Sequence, residues 1–322
     1  MPVLMKRLQN RENLLGTTGA GVGKDSAAGR MGVSGPLNAY RTSSALLPQC
    51  GNVKCRSGWM KLWRSRQSPV LEGKWACSQA CMQQIVQAAI LRAAAEPNSP
   101  NPVHQHRVPL GLVLLSRGVI TQEQLRKALE AQRKAGTGRL GEWLIRQKAV
   151  NEEHVTRALS AQWNCPVLTG VSYDPVVMAP AFPRLLIDSF GAVPLRLAGR
   201  ELLYVAFEDR IDRCLLLAVE RMLGLKVEAG LLRESEFRQV QQDVLRAPFP
   251  RTRLLEAANM RGLVHAFTSM LEERKAVRSQ IVRVHDYYWL RIWRSPDATE
   301  DRRALPAAED VEDMVCSLAA SE

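Results

Sequence analysis

The chain has 322 residues, 46% of them hydrophobic, with seven cysteines and a net charge of +12. That length accommodates two or three domains with real cores, and no apolar run approaches the ~18 residues of a membrane-spanning helix. The first fifteen residues, MPVLMKRLQNRENLL, carry charge without a sustained apolar stretch. No secretory signal is therefore expected, and the clustered cysteines point to a reducing, cytoplasmic setting.

Charge is unevenly placed: +9 in residues 1–96, +5 in 97–165 and −2 beyond. An anionic partner would belong at the front. Residues 1–45, rich in Gly, Ser, Thr and Ala, read as a disordered segment. Residues 19–26, GAGVGKDS, come close to a phosphate loop, but Asp25 stands where Ser or Thr is needed and no strand precedes it.

Residues 46–96 read as a zinc-binding module. Cys50 and Cys55 form a C-x4-C pair and Cys77 and Cys81 a C-x3-C pair, and four thiolates make a closed structural zinc site. Trp59, Leu62 and Trp63, followed by Val70, Leu71 and Trp75, predict a hairpin over the metal. Ser78 suits the N-cap of a helix that holds Cys81 in its first turn and continues through Ile85, Val86, Ala89 and Ile90. Knuckle, hairpin and ligand-bearing helix together resemble a treble-clef zinc finger. Lys54, Arg56, Lys61, Arg64, Arg66 and Lys74 interleave with the tryptophans, a composition that suits nucleic acid as well as a small soluble fold. Residues 97–106, PNSPNPVHQH, are a linker in which His104 and His106 have no local support as metal ligands.

The next stretch says nearly the same thing twice, thirty residues apart. PLGLVLLSRGVITQEQLRKALEAQ begins at Pro109 and RLGEWLIRQKAVNEEHVTRALSAQ at Arg139. Leu110 aligns with Leu140, Gly111 with Gly141, Leu114 with Leu144, Ala128 with Ala158 and Gln132 with Gln162. Each copy predicts a short helix, a turn and a longer helix. Residues 111–116 form the first short helix, with Gly118 at the position after it where positive φ is wanted. Thr121 and Gln124 have capping-box spacing, and Asn151 is the matching N-cap. Leu125, Ala128, Leu129 and Gln132 share one helical face, as do Val155, Ala158, Leu159 and Gln162.

The tandem pattern RLGxxL(I/V)xxGxI, a gap, then LxxALxxQ resembles the N-terminal domain of the type II secretion and type IV pilus assembly ATPases (the GspE/PilB/MshE family), across residues 107–246. The resemblance implies a receptor for cyclic di-GMP in which each copy grips half of the ligand. The residues it implies are Arg139, Leu140, Gly141 and Gln162 in the second copy and Leu110, Gly111, Gly118 and Gln132 in the first. Pro109 occupies the place of the first arginine, so Arg107 is the candidate substitute, and Lys148 occupies the place of the second turn glycine.

Beyond the repeat the period changes. A helix is expected at 184–190, strands at 192–197 and 202–207, a helix capped by Asp209, a strand at 225–229 and a helix at 235–245. The expected fold class is α+β: a tandem helix-turn-helix repeat in 107–165, a small αββαβα domain in 166–246, and the four-cysteine module in front. Residues 247–295 predict a helix at 253–273 and an aromatic strand or hairpin at 282–293. In that strand Tyr288, Leu290 and Ile292 alternate with Tyr287, Trp289, Arg291 and Trp293. The acidic residues 296–322 read as a disordered tail. No GxxxxGK[ST] follows the repeat, so no ATPase activity is expected, and no nucleophile with a paired base suggests another enzyme. The expectations for function are cyclic di-GMP sensing, a docking adaptor for secretion, pilus or motility machinery, and, third, nucleic-acid binding by the basic module.

Overall fold

The computed structural model describes residues 50–56, 69–96, 107–170, 172–294 and 305–319. The segment 1–45 with its glycine-rich stretch, the 59–63 arm of the expected hairpin and the linker 97–106 with its histidines lie outside these residues.

Two small strands, β1 (Val70–Leu71) and β2 (Lys74–Trp75), form an antiparallel hairpin. Helix α1 (Gln79–Ala95) follows, with Ser78 capping Cys81 N. The repeat region folds as α2 (Leu110–Ser116), α3 (Gln122–Ala135), α4 (Leu140–Arg146) and α5 (Glu152–Trp163). The Thr121–Gln124 capping box is formed, and Asn151 accepts from His154 N. The core of these helices is Leu114, Ile120 and Ala128 with Leu144, Val150 and Ala158. Each residue in the first trio sits thirty positions before its counterpart in the second, so one packing solution is used twice.

After α6 (Pro175–Met178) and α7 (Arg184–Phe190), β3 (Ala192–Ala198) pairs antiparallel with β4 (Leu202–Phe207). Helix α8 (Arg213–Leu223) then crosses over to β5 (Lys226–Leu231), which lies parallel to β4, and α9 (Glu234–Arg246) follows. The cap of α8 is Asp212, which accepts from Leu215 N, rather than Asp209. Asp209 instead faces Arg139.

The largest departures from expectation lie at the C-terminal end. Residues Arg251–Ala257 are a strand, β6, and the helix begins only after the Asn259 cap, as α10 (Met260–Arg274). The aromatic stretch forms a hairpin, β7 (Arg278–Val284) and β8 (Tyr287–Trp293). The tail expected to be disordered contains β9 (Val311–Leu318), a central strand in the order β6-β9-β8-β7. Its acidic residues belong inside because each has a cation. Asp313 receives Nε and Nη2 of Arg291 at 2.8 Å each, and Glu312 accepts from Arg274 Nη2 at 3.1 Å. Asp313 and Arg291 are both fully buried.

The front module does not stand apart either. Leu71, Met82, Ile85, Val86 and Ile90 share one core with Leu263, Phe267 and Leu271 of α10 and Tyr288, Leu290 and Ile292 of β8. The opposite face of β8, with Tyr287, Trp289 and Trp293, joins the core of the β3–β5 layer. The alternation in the sequence thus marks a sheet buried on both faces.

Candidate functional site

Four of the residues implied by the tandem motif, Leu110, Arg139, Leu140 and Gly141, line one cleft of about 240 Å³ between α4, α5 and the β3–β5 layer. Its other lining residues include Glu142, Glu152, Glu208, Asp209 and Glu234. Among the described residues lining this cleft Arg139 is the one cation. Arg139 sits at the N-cap of α4 with its guanidinium 3.2 Å from Glu208 and 3.3 Å from Asp209, its side chain 51% exposed. Burial works against the Arg139 charge, but Asp209 and Glu208 more than offset it and its pKa is raised. Burial also pushes the Glu208 carboxyl above the ordinary carboxylate range, with Arg139 opposing.

The two glycines have packing roles. A Cβ on Gly111 would lie 2.7 Å from Leu125 Cδ1, and one on Gly141 would lie 2.9 Å from Val155 Cγ1. Both distances are below contact, so these positions let the short helix of each copy cross its long helix closely. Gly118 lies outside the cleft, with φ 67° in the turn, and Lys148 takes the same conformation, with φ 56°, in the second copy.

The glutamines lie outside the cleft. Gln132 Nε2 donates to Gly138 O at 2.8 Å, and Gln162 Nε2 donates to Val108 O at 2.7 Å. Each closes on the residue just before the start of the other copy. Arg107 does not line the cleft: its guanidinium stacks on Trp163, 3.1 Å from the ring centroid. Burial, then the nearby Arg213 and Arg210, lower its pKa.

The four cysteines, by contrast, come together. Cys55 Sγ lies 3.5 Å from Cys77 Sγ, and Cys77 Sγ 3.7 Å from Cys81 Sγ. All four sulfurs lie within 4.8 Å of one another and none is in a disulfide. Zinc–sulfur bonds of ~2.3 Å in a tetrahedron set sulfur–sulfur edges of about 3.8 Å, so the spacing matches a closed site of four thiolates. Cys77 N donates to Cys50 Sγ at 3.4 Å and Asn52 Nδ2 to Cys81 Sγ at 3.3 Å, the outer contacts that orient thiolate ligands. Burial, against hydrogen bonds from the Asn52 and Cys77 backbones, pushes the Cys50 thiol up to about 12.

A second cluster was not visible in the sequence. His285, in the β7–β8 turn, places Nε2 2.7 Å from Asp212 Oδ2 at the start of α8, with Cys214 beside them. The Asp212 hydrogen bond, then Cys214, raise the His285 pKa to about 10, which favours the protonated ring facing a carboxylate. Its residues are seventy-three positions apart, and a lone histidine gives no sign of its partner.

No family model matches the chain. A stretch of 126 residues is 35% identical to bacteriophage adsorption protein B of Escherichia coli (strain K12), covering 37% of this chain and 16% of that protein. The type IV pilus assembly ATPase PilB of Thermus thermophilus is 32% identical over 133 residues, 40% of this chain and 14% of its own. PilB of Myxococcus xanthus is 30% identical over 132 residues, 40% and 23%. The match therefore spans less than a quarter of each of these relatives. Among solved structures, MshE with cdg has a TM-score of 0.36 at 23% identity, covering 42% of this chain and 98% of that one. No helix among the described residues is long and apolar enough to cross a membrane. Over about 40% of its length, this chain is similar to a stretch of the type IV pilus assembly ATPase PilB.

Proposed function

We propose that this chain is a non-catalytic docking adaptor for a protein of the secretion or pilus type, and that its tandem domain works without a cyclic dinucleotide. One observation carries the reading. Among its described lining residues, the cleft that gathers the motif holds a single cation, already engaged by Glu208 and Asp209, among five carboxylates. A ligand with two phosphates would have to displace that pairing and approach like charges, which is unfavourable. Supporting it, Pro109 has no group to offer a phosphate, Arg107 is committed to Trp163, and both glutamines spend an amide proton on backbone carbonyls.

The test is binding of purified components of a secretion or pilus system to the immobilised full chain. Saturable binding of one component, with no competition from cyclic di-GMP, is expected. Competition by cyclic di-GMP would replace the adaptor with a receptor.

We also propose that Cys50, Cys55, Cys77 and Cys81 hold a structural zinc ion. The sulfur spacing and the two N–H···S contacts support it. Metal analysis of the purified chain, with one zinc per chain expected and none contradicting, checks the assignment.

A further inference from the structure

The four-cysteine site lies where the two ends of the chain meet. β1 runs along the outer edge of the C-terminal sheet: Val70 N donates to Ala276 O and Glu72 N to Ser279 O, each at 2.9 Å. Ser279 Oγ returns a hydrogen bond to Val70 O at 2.8 Å. At the far end of α1, Arg283 Nη1 donates to Ala94 O at 3.2 Å. Between these points α1 lays Met82, Ile85, Val86, Ala89 and Ile90 on α10 and the sheet. These contacts bridge about two hundred positions of sequence, as the separations of 209 for Ser279–Val70 and 189 for Arg283–Ala94 show. Closing so long a loop is entropically costly.

The cysteines sit at the corner of this front piece. Cys77 lies two residues after the end of β2, Cys81 is in the first turn of α1, and Cys50 and Cys55 flank the loop whose Gly51 N donates to Trp75 O at 2.8 Å. A metal bound to all four would fix the angle between the hairpin and the helix. That angle decides whether β1 reaches the edge of β7 while α1 lies on α10. The hairpin has two residues per strand, far too little to hold its own geometry.

Resting on the zinc assignment above, we infer that the metal is the fastener of a split domain: it holds β1, β2 and α1 in the one arrangement that docks on the β7 edge of the C-terminal sheet and on α10. Removing the metal then loosens β1, α1, α10 and β7 together and leaves α2–α5 folded, because those helices have a separate core. It also uncovers the β7 edge, whose N–H and C=O groups then become a template for association.

The experiment is hydrogen exchange on the full chain, zinc-loaded and after treatment with a zinc chelator. Expected is faster exchange, on the order of tenfold or more, in 69–95, 260–274 and 278–284, with 110–163 unchanged. Cys50→Ser, which leaves α1 intact, should give the same pattern, and Cys165→Ser should not. Faster exchange confined to 50–56 and 76–82 would overturn the inference while leaving the zinc site standing. A chain that holds no zinc and develops no thiolate-to-cobalt absorption when given cobalt would remove the zinc assignment itself. Loosening of 110–163 along with the rest would overturn the split-domain boundary.

Discussion

Gln162 donates its side-chain amide to the carbonyl of Val108, fifty-four residues earlier, at 2.7 Å. Gln132 makes the same contact to Gly138. The end of each copy is thus tied to the start of the other, and the repeat closes on itself. A glutamine ending an apolar helical face has a structural purpose in this fold, independent of any ligand.

Replacing either glutamine with alanine should therefore destabilise the chain by about 0.5–1.5 kcal/mol in the absence of any nucleotide. Urea denaturation of Gln132→Ala and Gln162→Ala checks this. No loss of stability in either variant would return the glutamines to a ligand-only role.

Lys148 holds φ 56° in the turn where its counterpart Gly118 holds 67°. The left-handed region costs an ordinary L-residue roughly 1–2 kcal/mol, partly offset because glycine loosens the unfolded chain. Lys148→Gly should leave stability equal or raise it by up to ~1 kcal/mol, read as a shift in denaturation midpoint. A clear loss would mean the lysine side chain contributes something the backbone argument misses.

Arg291 and Asp313 form a buried two-point pair, and Arg291 Nη1 also reaches Ala181 O at 3.1 Å. Removing one partner leaves an uncompensated charge in the sheet, so Asp313→Ala should cost about 3–5 kcal/mol. The same variant deletes the acceptor of Trp289 Nε1, at 2.8 Å. A loss under ~1 kcal/mol in thermal or urea unfolding would contradict the burial of this pair.

His285 and Asp212 link the β7–β8 turn to the start of α8. The folded pKa of His285 is raised from 6.5 to about 10 by Asp212 and Cys214. Its stabilisation is therefore fully present below pH 6.5 and is lost as pH rises through about 10. Asp212, lowered overall by His285 against the burial that raises it, contributes above its ordinary pKa and loses that contribution in acid. The stability of His285→Asn relative to the native chain should converge toward it between about pH 7 and 10. A constant difference across that range would contradict the pairing.

Much of the helical region was legible from local chemistry. The Thr121 and Asn151 caps and the Gly118 turn all depend on neighbours within a few positions, and each appears as read. The C-terminal half was not, because its elements are decided by distant partners. Arg251–Ala257, RTRLLEA, mixes three apolar with four polar residues and shows no period that separates a helix from a strand. It is a strand because β9 pairs with it sixty residues later. Glu312 and Asp313 made β9 look like an acidic tail, and only the positions of Arg274 and Arg291 put them inside. The candidate site follows the same rule. The C-x4-C and C-x3-C spacings brought four cysteines together, while Glu208 and Asp209, which claim Arg139, belong to a strand-to-helix loop that no motif marks.

The most direct test of the adaptor account is calorimetric titration of cyclic di-GMP into the full zinc-loaded chain, with Arg139→Ala in parallel. The account predicts no saturable heat in either protein. Saturable binding to the native chain that Arg139→Ala abolishes would contradict it and make the cleft a receptor site.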